Sequence, residues 1–142
     1  EVVGSFDDIL TRSKNSTLTK IIFLRHGESE KNVKNIISAG RDIYPLTEKG
    51  RRAAKAAAKL LSKEKIDAIY ASPLLRTKET AEIVAGKRKK EIVFDDRLLE
   101  VDSGAWEEKH FDDPEIVEAQ RAYKSSSHDF YNARGGVTGE SW

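Results

Sequence analysis

Residues 20–28 run from an apolar segment into a polar turn, in the order Lys20-Ile21-Ile22-Phe23-Leu24-Arg25-His26-Gly27-Glu28. The four consecutive apolar residues, two of them β-branched, predict a strand that is buried on both faces. A strand that ends in a cation, an imidazole and a carboxylate delivers them to the edge where open α/β sheets bind ligands. A charged surface turn is the simpler interpretation, but the ordered set, followed by Asn32, favours a functional site.

The composition limits the classes of protein and partner. The length of 142 residues suits one domain with a sizeable core. Charged residues make up 35% and the net charge is +1, so nothing predicts a nucleic acid or an anionic membrane as partner. No apolar run approaches the length of a membrane span. The absence of cysteine excludes disulfides and thiolate metal sites and favours a cytoplasmic location.

A strong helical pattern follows the loop after residue 29. Thr47 is a suitable N-cap for a helix that extends to about residue 61. We expect this helix to pack close to the sheet through an alanine-rich face that includes Ala53, Ala57, Leu60 and Leu61.

Two further strands flank a second helix. Residues 66–71 and 92–94 predict short strands, and Ser72-Pro73 predicts the N-cap and first position of a helix that Gly86 ends. Strands and helices that alternate with short links predict parallel strands joined by crossovers. The expected fold is therefore an α/β three-layer sandwich around a mainly parallel sheet.

The two ends of the chain follow a different pattern. We interpret residues 1–19 as an N-terminal extension and residues 20–142 as one domain. A helix begins at Asp113-Pro114, and Gly-rich and polar segments surround it. We therefore expect residues 104–142 to form a lid-like excursion over the sheet.

Parallel topology brings a second arginine to the end of the first strand. Because parallel strands end at the same edge, Arg76, about one turn into the second helix, should approach Arg25 and His26. Two guanidinium groups beside a helix N-terminus favour the binding of a phosphate group. The alternative for Arg76 is an ordinary ion pair with Glu79 or Glu82.

Four motifs resemble, in order, those of the histidine phosphatase superfamily, the phosphoglycerate mutase-like enzymes. They are Arg25-His26-Gly27-Glu28 with Asn32, Pro45-Leu46-Thr47-Glu48-Lys49-Gly50, Ser72-Pro73-Leu74-Leu75-Arg76-Thr77 with Thr80-Ala81, and Leu99-Glu100 with Gly104 and Trp106. The resemblance extends over residues 20–142 and implies a phosphoglycerate mutase-like fold.

The resemblance implies a phosphomonoester hydrolase that needs neither metal nor cofactor. His26 would attack the phosphorus and become a phosphohistidine, for which a neighbouring acceptor has to fix its tautomer. Arg25 and Arg76 would hold the equatorial oxygens, and Asn32 would help to position the phosphate. Glu100 would protonate the departing alkoxide and then activate water, a role for which we expect a raised pKa.

Simpler interpretations stay open for three acidic or amide residues. Glu100 is alternatively a surface carboxylate before a turn, and Asn32 an ordinary loop residue. Glu28 either orients the site from outside or is a solvated charge.

Residues 100–104 bear on the reaction type. The mutases of the family carry Glu-Arg-His-Tyr-Gly where this chain has Glu100-Val101-Asp102-Ser103-Gly104. The resemblance therefore favours hydrolysis over mutase-type phosphoryl transfer. The expected partner is a small phosphorylated substrate whose leaving group the sequence does not identify.

One family feature has no counterpart in the sequence. Members carry a second histidine on a later strand, whereas His110 and His128 neither follow an apolar strand nor precede glycine. A non-catalytic module that binds a phosphorylated ligand is therefore an alternative, and a plain α/β interaction domain is a third.

The missing histidine and the first residue also predict a longer reading frame. The chain begins at Glu1 and contains no methionine. We expect a further helix and a strand that ends in His-Gly and pairs with residues 20–24. Because an uncovered sheet edge favours association, the 142-residue chain alone is expected to be poorly soluble or inactive, and a homo-oligomer is an alternative.

Overall fold

The computed structural model describes residues 20–38, 43–86, 88 and 90–125. The predicted extension at residues 1–19 lies outside these ranges. The helices are α1 (Glu30–Val33), α2 (Glu48–Leu60), α3 (Leu75–Ala85) and α4 (Pro114–Ser125), and the strands are β1 (Ile69–Ala71) and β2 (Ile92–Phe94). Single 3-10 turns cover Leu61–Lys63, Asp96–Leu98 and Gly104–Trp106.

Strands β1 and β2 form a parallel pair, with Tyr70 opposite Val93. Helix α3 connects them and lies against both, and helix α2 lies against α3. This arrangement confirms the predicted α/β class with parallel strands. Strand β1 is shorter than predicted, because only residues 69–71 of the predicted strand 66–71 form the ladder with β2.

Residues 20–24, predicted as a doubly buried strand, belong to no strand in the structure. All four apolar side chains of this segment are exposed, and Phe23 is 91% exposed. The physical reason is that a strand requires a neighbour for its backbone hydrogen bonds. Within the described residues the sheet holds β1 and β2 alone, and neither pairs with this segment.

Helix α2 begins as predicted, but it buries a different face from the predicted one. Thr47 is the N-cap, and its hydroxyl accepts a hydrogen bond from the Gly50 amide at 3.0 Å. Gly50 and Ala54 are its buried residues, whereas Ala53 and Leu60 of the predicted face are exposed. The burial of Gly50 and Ala54 follows from the close backbone contact at Gly50 described below, which places that side of the helix against the turn of residues 25–28.

Helix α3 starts later than the Ser72-Pro73 pair predicts. Leu74 is the N-cap, and the Ser72 hydroxyl accepts from the Leu74 amide at 3.4 Å. Ser72 thus closes a turn two residues ahead of the helix, a bond that serine makes in competition with capping. The end is as predicted: Gly86 follows Ala85 with φ 54°, a left-handed conformation that glycine adopts without strain.

The segment after β2 returns to the loop that follows α1. The Ile37 amide donates to the Lys109 carbonyl at 2.9 Å, and the Glu108 amide donates to the Ile37 carbonyl at 2.8 Å. Helix α4 begins at Pro114 as predicted, and its Ile116 is fully buried. Residues 108–111 are therefore held beside residues 35–37.

The buried apolar side chains come from the loop before α2, from α2, from β1, from α3 and the turn before it, and from α4. They are Ile37, Tyr44, Leu46, Ala54, Ala71, Leu74, Val84, Ala85 and Ile116. In the ranges that the structure describes, no helix has the length and apolar character needed to cross a membrane.

Candidate active site

The turn of residues 25–28 is held between helices α2 and α3. The Gly27 amide donates to Thr80 Oγ1 of α3 at 3.1 Å. The Thr47 amide, at the start of α2, donates to the Glu28 carbonyl at 2.9 Å. These two bonds fix the backbone on both sides of the turn that presents His26.

Two glycines allow this turn to lie directly on helix α2. A Cβ atom added to Gly27 would lie 2.5 Å from the Gly50 carbonyl oxygen, and one added to Gly50 would lie 2.0 Å from the Glu28 carbonyl oxygen. Both distances are far shorter than a carbon–oxygen contact permits. The backbones meet at van der Waals distance because neither residue has a side chain.

The imidazole of His26 is half-buried and has a defined tautomer. Its Nδ1 lies 2.7 Å from the Gly27 carbonyl oxygen. A carbonyl oxygen only accepts, so Nδ1 carries the proton and Nε2 keeps its lone pair. This carbonyl is the neighbouring acceptor that the sequence analysis required.

The surroundings also keep His26 neutral. Burial lowers its pKa below the ordinary value of 6.5, and the charges of Arg76, Lys31 and Arg25 lower it further, whereas the bond to Gly27 opposes the shift. The neutral ring, with its proton on Nδ1, is therefore the dominant form at neutral pH, as a nucleophile requires.

Arg76, in the first turn of α3, is 1% exposed. Its Nη2 donates to Glu100 Oε2 at 2.9 Å and to the Ser38 carbonyl at 3.3 Å. The predicted alternatives do not hold, since its ion-pair partner is Glu100, and Glu79 instead pairs with Arg51 at 2.6 Å. Its Nε and Nη1 are buried and have no hydrogen-bond partner among the described residues. Unsatisfied buried donors of a cation are the feature expected of an anion site.

Lys31 is a second buried cation that the sequence analysis did not single out. Its side chain, on helix α1, donates from Nζ to the Ser38 carbonyl at 2.6 Å and to Glu100 Oε2 at 3.0 Å. Among the 25 lysine and arginine residues nothing in its type distinguishes it. The available signal was its position, directly before Asn32 in the first motif.

Glu100 connects the two cations, and its pKa is not raised as predicted. Burial raises the pKa of this carboxyl, but the hydrogen bond from Lys31 and the charges of Lys31 and Arg76 together outweigh it. The net shift is downward. The prediction of a raised pKa is therefore wrong for this arrangement, in which one ammonium and one guanidinium group stabilise the carboxylate.

Two further predicted residues, Arg25 and Asn32, lie on the segments that carry His26 and Lys31. Arg25 is exposed, and its charge acts on the imidazole of His26. Asn32 Oδ1 accepts from both the amide and the hydroxyl of Ser29, each at 2.9 Å, and thereby caps helix α1.

Glu28 contacts the N-terminal end of helix α2. Its carboxylate accepts from Lys49 Nζ and from the Thr47 hydroxyl, both at 2.8 Å, and these two bonds lower its pKa. Of its two predicted roles, these contacts favour that of an orienting residue.

His110 lies away from the cluster. His110 lies on an isolated bridge with Ile36, and its exposed ring is 3.8 Å from Asp112. His128 lies outside the described residues. Within the described part of the chain, no three acidic or histidine side chains are grouped so that they could hold a metal ion.

Comparison with known proteins adds a family to this geometry. A family model described as the histidine phosphatase superfamily (branch 1) matches residues 21–142. A 2,3-bisphosphoglycerate-dependent phosphoglycerate mutase of Thermoplasma acidophilum is 46% identical over 83 residues, which are 58% of this chain and 42% of the relative. Phosphoserine phosphatase 1 of Hydrogenobacter thermophilus is 40% identical over 89 residues, which are 63% of this chain and 42% of the relative.

Solved structures share the fold. The alpha-ribazole phosphatase of Shigella flexneri superposes with a TM-score of 0.68 at 28% identity, over 83% of this chain and 57% of that one. Bacillus stearothermophilus YhfR superposes with a TM-score of 0.65 at 36% identity, over 82% and 56%. The chain thus spans about half the length of the proteins that it matches.

Proposed function

The chain belongs to the histidine phosphatase superfamily, and on that premise we propose that it hydrolyses small phosphomonoesters through a phosphohistidine on His26. The proposed reaction needs no metal, because a histidine supplies the nucleophile and cationic side chains supply the charge. The relatives include both phosphatases and a mutase, so the superfamily alone leaves the reaction type open.

The observation that carries the proposal is the state of the His26 ring. Its Nδ1 lies 2.7 Å from the Gly27 carbonyl oxygen, and burial and three nearby cations lower its pKa. A neutral imidazole with a defined Nε2 lone pair is prepared for attack on phosphorus. The same cations are suited to a phosphate dianion.

Stabilisation of the negative charge on the transferring phosphoryl group is assigned to two arginines. Arg76 offers Nε and Nη1, which have no partner in the described residues, and Arg25 offers an exposed guanidinium near His26. These donors would hold the equatorial oxygens, where charge accumulates in the transition state. Asn32 is the proposed source of one further N–H donor.

Proton transfers are assigned to Glu100. In the first step His26 Nε2 forms a bond to phosphorus, the ester P–O bond breaks, and Glu100 gives its proton to the leaving alkoxide. In the second step Glu100 takes a proton from water, the oxygen of which displaces His26 and releases inorganic phosphate. The lowered pKa suits the second step directly, whereas the first requires that Glu100 gain a proton when substrate binds.

The substrate class rests on the relatives. Their names include phosphoserine and phosphoglycerate, both small phosphorylated molecules. We propose a substrate of this size. We also propose a cytoplasmic location, with which the absence of cysteine is compatible. The lid predicted at residues 104–142 remains a proposal. The described part of this segment supports the proposal, since the Lys109 carbonyl accepts a hydrogen bond from the amide of Ile37, which is next to Ser38 in the cluster.

The test compares His26→Ala with His110→Ala, which removes an exposed histidine. Hydrolysis of an aryl phosphate and trapping of an acid-labile phosphoprotein are measured for both variants and the parent. We expect His26→Ala to abolish both signals and His110→Ala to retain them, with unchanged circular dichroism. Turnover by His26→Ala at the parental rate would show that the nucleophile is another residue.

The second candidate is mutase-type phosphoryl transfer, favoured by the relative named as a phosphoglycerate mutase. In that reaction a substrate hydroxyl, and not water, accepts the phosphoryl group of His26. The sequence at 100–104 favours hydrolysis. A test with phosphoglycerate distinguishes the two, because hydrolysis releases inorganic phosphate whereas a mutase interconverts the isomers without release.

A further inference from the structure

Two buried cations converge on the same pair of oxygens. Lys31 Nζ and Arg76 Nη2 lie 3.0 Å and 2.9 Å from Glu100 Oε2, and 2.6 Å and 3.3 Å from the Ser38 carbonyl oxygen. The side chain of Lys31 is 9% exposed and that of Arg76 is 1% exposed, whereas that of Glu100 is 48% exposed. The two cations are thus fixed by their surroundings, and the carboxylate is the member with access to water.

The charges and donors of this cluster are not balanced. Two positive charges contact one carboxylate, which leaves a net positive charge in a largely buried place. Arg76 Nε and Nη1 and the Ser38 hydroxyl are also buried, without a hydrogen-bond partner among the described residues. A tetrahedral anion with several acceptor oxygens can satisfy such a set of donors, whereas a single carboxylate oxygen cannot.

We propose that Lys31 is an anion-binding residue of this site, which holds the phosphoryl group of the substrate together with Arg76, and that Glu100 yields its position between them when substrate binds. The proposal rests on the proposed function and adds a residue to it. Glu100 then serves in two positions. It neutralises the cations in the free protein and moves to the leaving group in the complex.

This exchange should change the protonation state of Glu100. The groups that face Glu100 are Lys31 from α1 and Arg76 from α3, and both favour its ionised form in the free protein. Once a phosphate dianion takes these partners and lies beside Glu100, the carboxyl loses its stabilising contacts and gains a repulsive one. Phosphate binding should therefore be linked to proton uptake by Glu100, which supplies the proton that the first chemical step consumes.

The first experiment measures the affinity for inorganic phosphate by calorimetry, without turnover. We expect Lys31→Met to weaken binding about ten- to a hundredfold, the loss typical of a hydrogen bond to a charged group. Lys31→Arg should recover part of the loss. Lys34→Met removes an exposed lysine of the same segment and should bind like the parent. Equal affinity of Lys31→Met and the parent would overturn the proposal, as would a parent chain that does not bind phosphate.

The second experiment uses Glu100→Gln, which keeps the shape of the side chain and removes its charge. Phosphate should bind this variant more tightly than the parent, because the competing carboxylate is absent. Calorimetry in two buffers with different ionisation enthalpies should show proton uptake for the parent and less for the variant. Unchanged affinity together with unchanged proton uptake would contradict the exchange.

The two proposals fail separately. A chain that binds phosphate in a Lys31-dependent way but never hydrolyses an ester would retain this anion site and lose the proposed function. Hydrolysis that depends on His26 but is unaffected by Lys31→Met would support the proposed function and contradict the anion-binding role of Lys31.

Discussion

The carboxylate of Glu100 lies 2.9 Å from the guanidinium of Arg76, yet the two side chains differ sharply in exposure, at 48% and 1%. Water can replace the arginine as a partner of the carboxylate, but it cannot readily reach the arginine. In the proposed exchange the pair would therefore separate by movement of Glu100. Since Glu100 is also the proposed acid, that movement would bring the acid to the substrate.

Glu100→Gln should discriminate between leaving groups. An alkyl phosphate needs a proton on its departing oxygen, whereas a nitrophenyl phosphate does not. We expect about a hundredfold loss or more for alkyl phosphates and a much smaller loss for the aryl ester. Glu115→Gln, which changes another partly exposed glutamate with a lysine partner, is the control and should leave both rates unchanged. Equal losses for both esters would remove Glu100 from the role of acid.

The pKa of His26 should be visible in a titration. Burial and the neighbouring cations lower it below 6.5, so the ring stays neutral when the pH falls to 6.5 and becomes protonated only at lower pH. The acid limb of kcat/KM should accordingly have its midpoint below 6.5, because this profile reports the free enzyme. Nitrogen chemical shifts of His26 measure the same pKa directly and should show protonated Nδ1 in the neutral ring. A midpoint above 6.5 would contradict the described surroundings.

Thr80→Val should disturb the turn that carries His26. The Thr80 hydroxyl accepts from the Gly27 amide at 3.1 Å and donates to the Arg76 carbonyl at 2.7 Å. Valine has the same shape but leaves the Gly27 amide without this partner, which should lower the free energy of unfolding by about 1 to 3 kcal/mol. Turnover should fall as His26 loses its position, and Thr80→Ser should restore both quantities. Parental stability and activity of Thr80→Val would show that the bond is dispensable.

Gly50→Ala should destabilise the protein although alanine is the better helix former. The new methyl group would lie 2.0 Å from the Glu28 carbonyl oxygen, so helix α2 and the turn of residues 25–28 must move apart. We expect the free energy of unfolding to fall by about 1 to 3 kcal/mol, the usual cost of overpacking. Ala53→Gly on the exposed side of the same helix measures the intrinsic preference and should cost at most about 1 kcal/mol. Chemical denaturation compares the two, and a stabilised Gly50→Ala would refute the close contact.

The elements that local sequence predicted are those whose signals lie within a few residues. Thr47 caps α2 through the amide of Gly50, and the left-handed Gly86 ends α3, since both depend on backbone groups of the same turn. The parallel pairing of β1 and β2 followed from the short links around α3. His26 and Arg76 were selected from the end of the apolar run and from the parallel topology, which predicted that they lie close together. Glu100 was selected by its resemblance to a family motif.

Other features depended on which distant segments meet. The apolar run at residues 20–24 has the composition of a buried strand, but its exposure is decided by whether a neighbouring strand is present. The rotation of α2 is set by a backbone contact between Gly50 and Glu28, which no alanine pattern encodes. The lowered pKa of Glu100 arises from its contacts with Lys31, which is 69 positions away, and with Arg76. Charge acts through space with a strength that depends on distance and burial, and only the tertiary structure determines either.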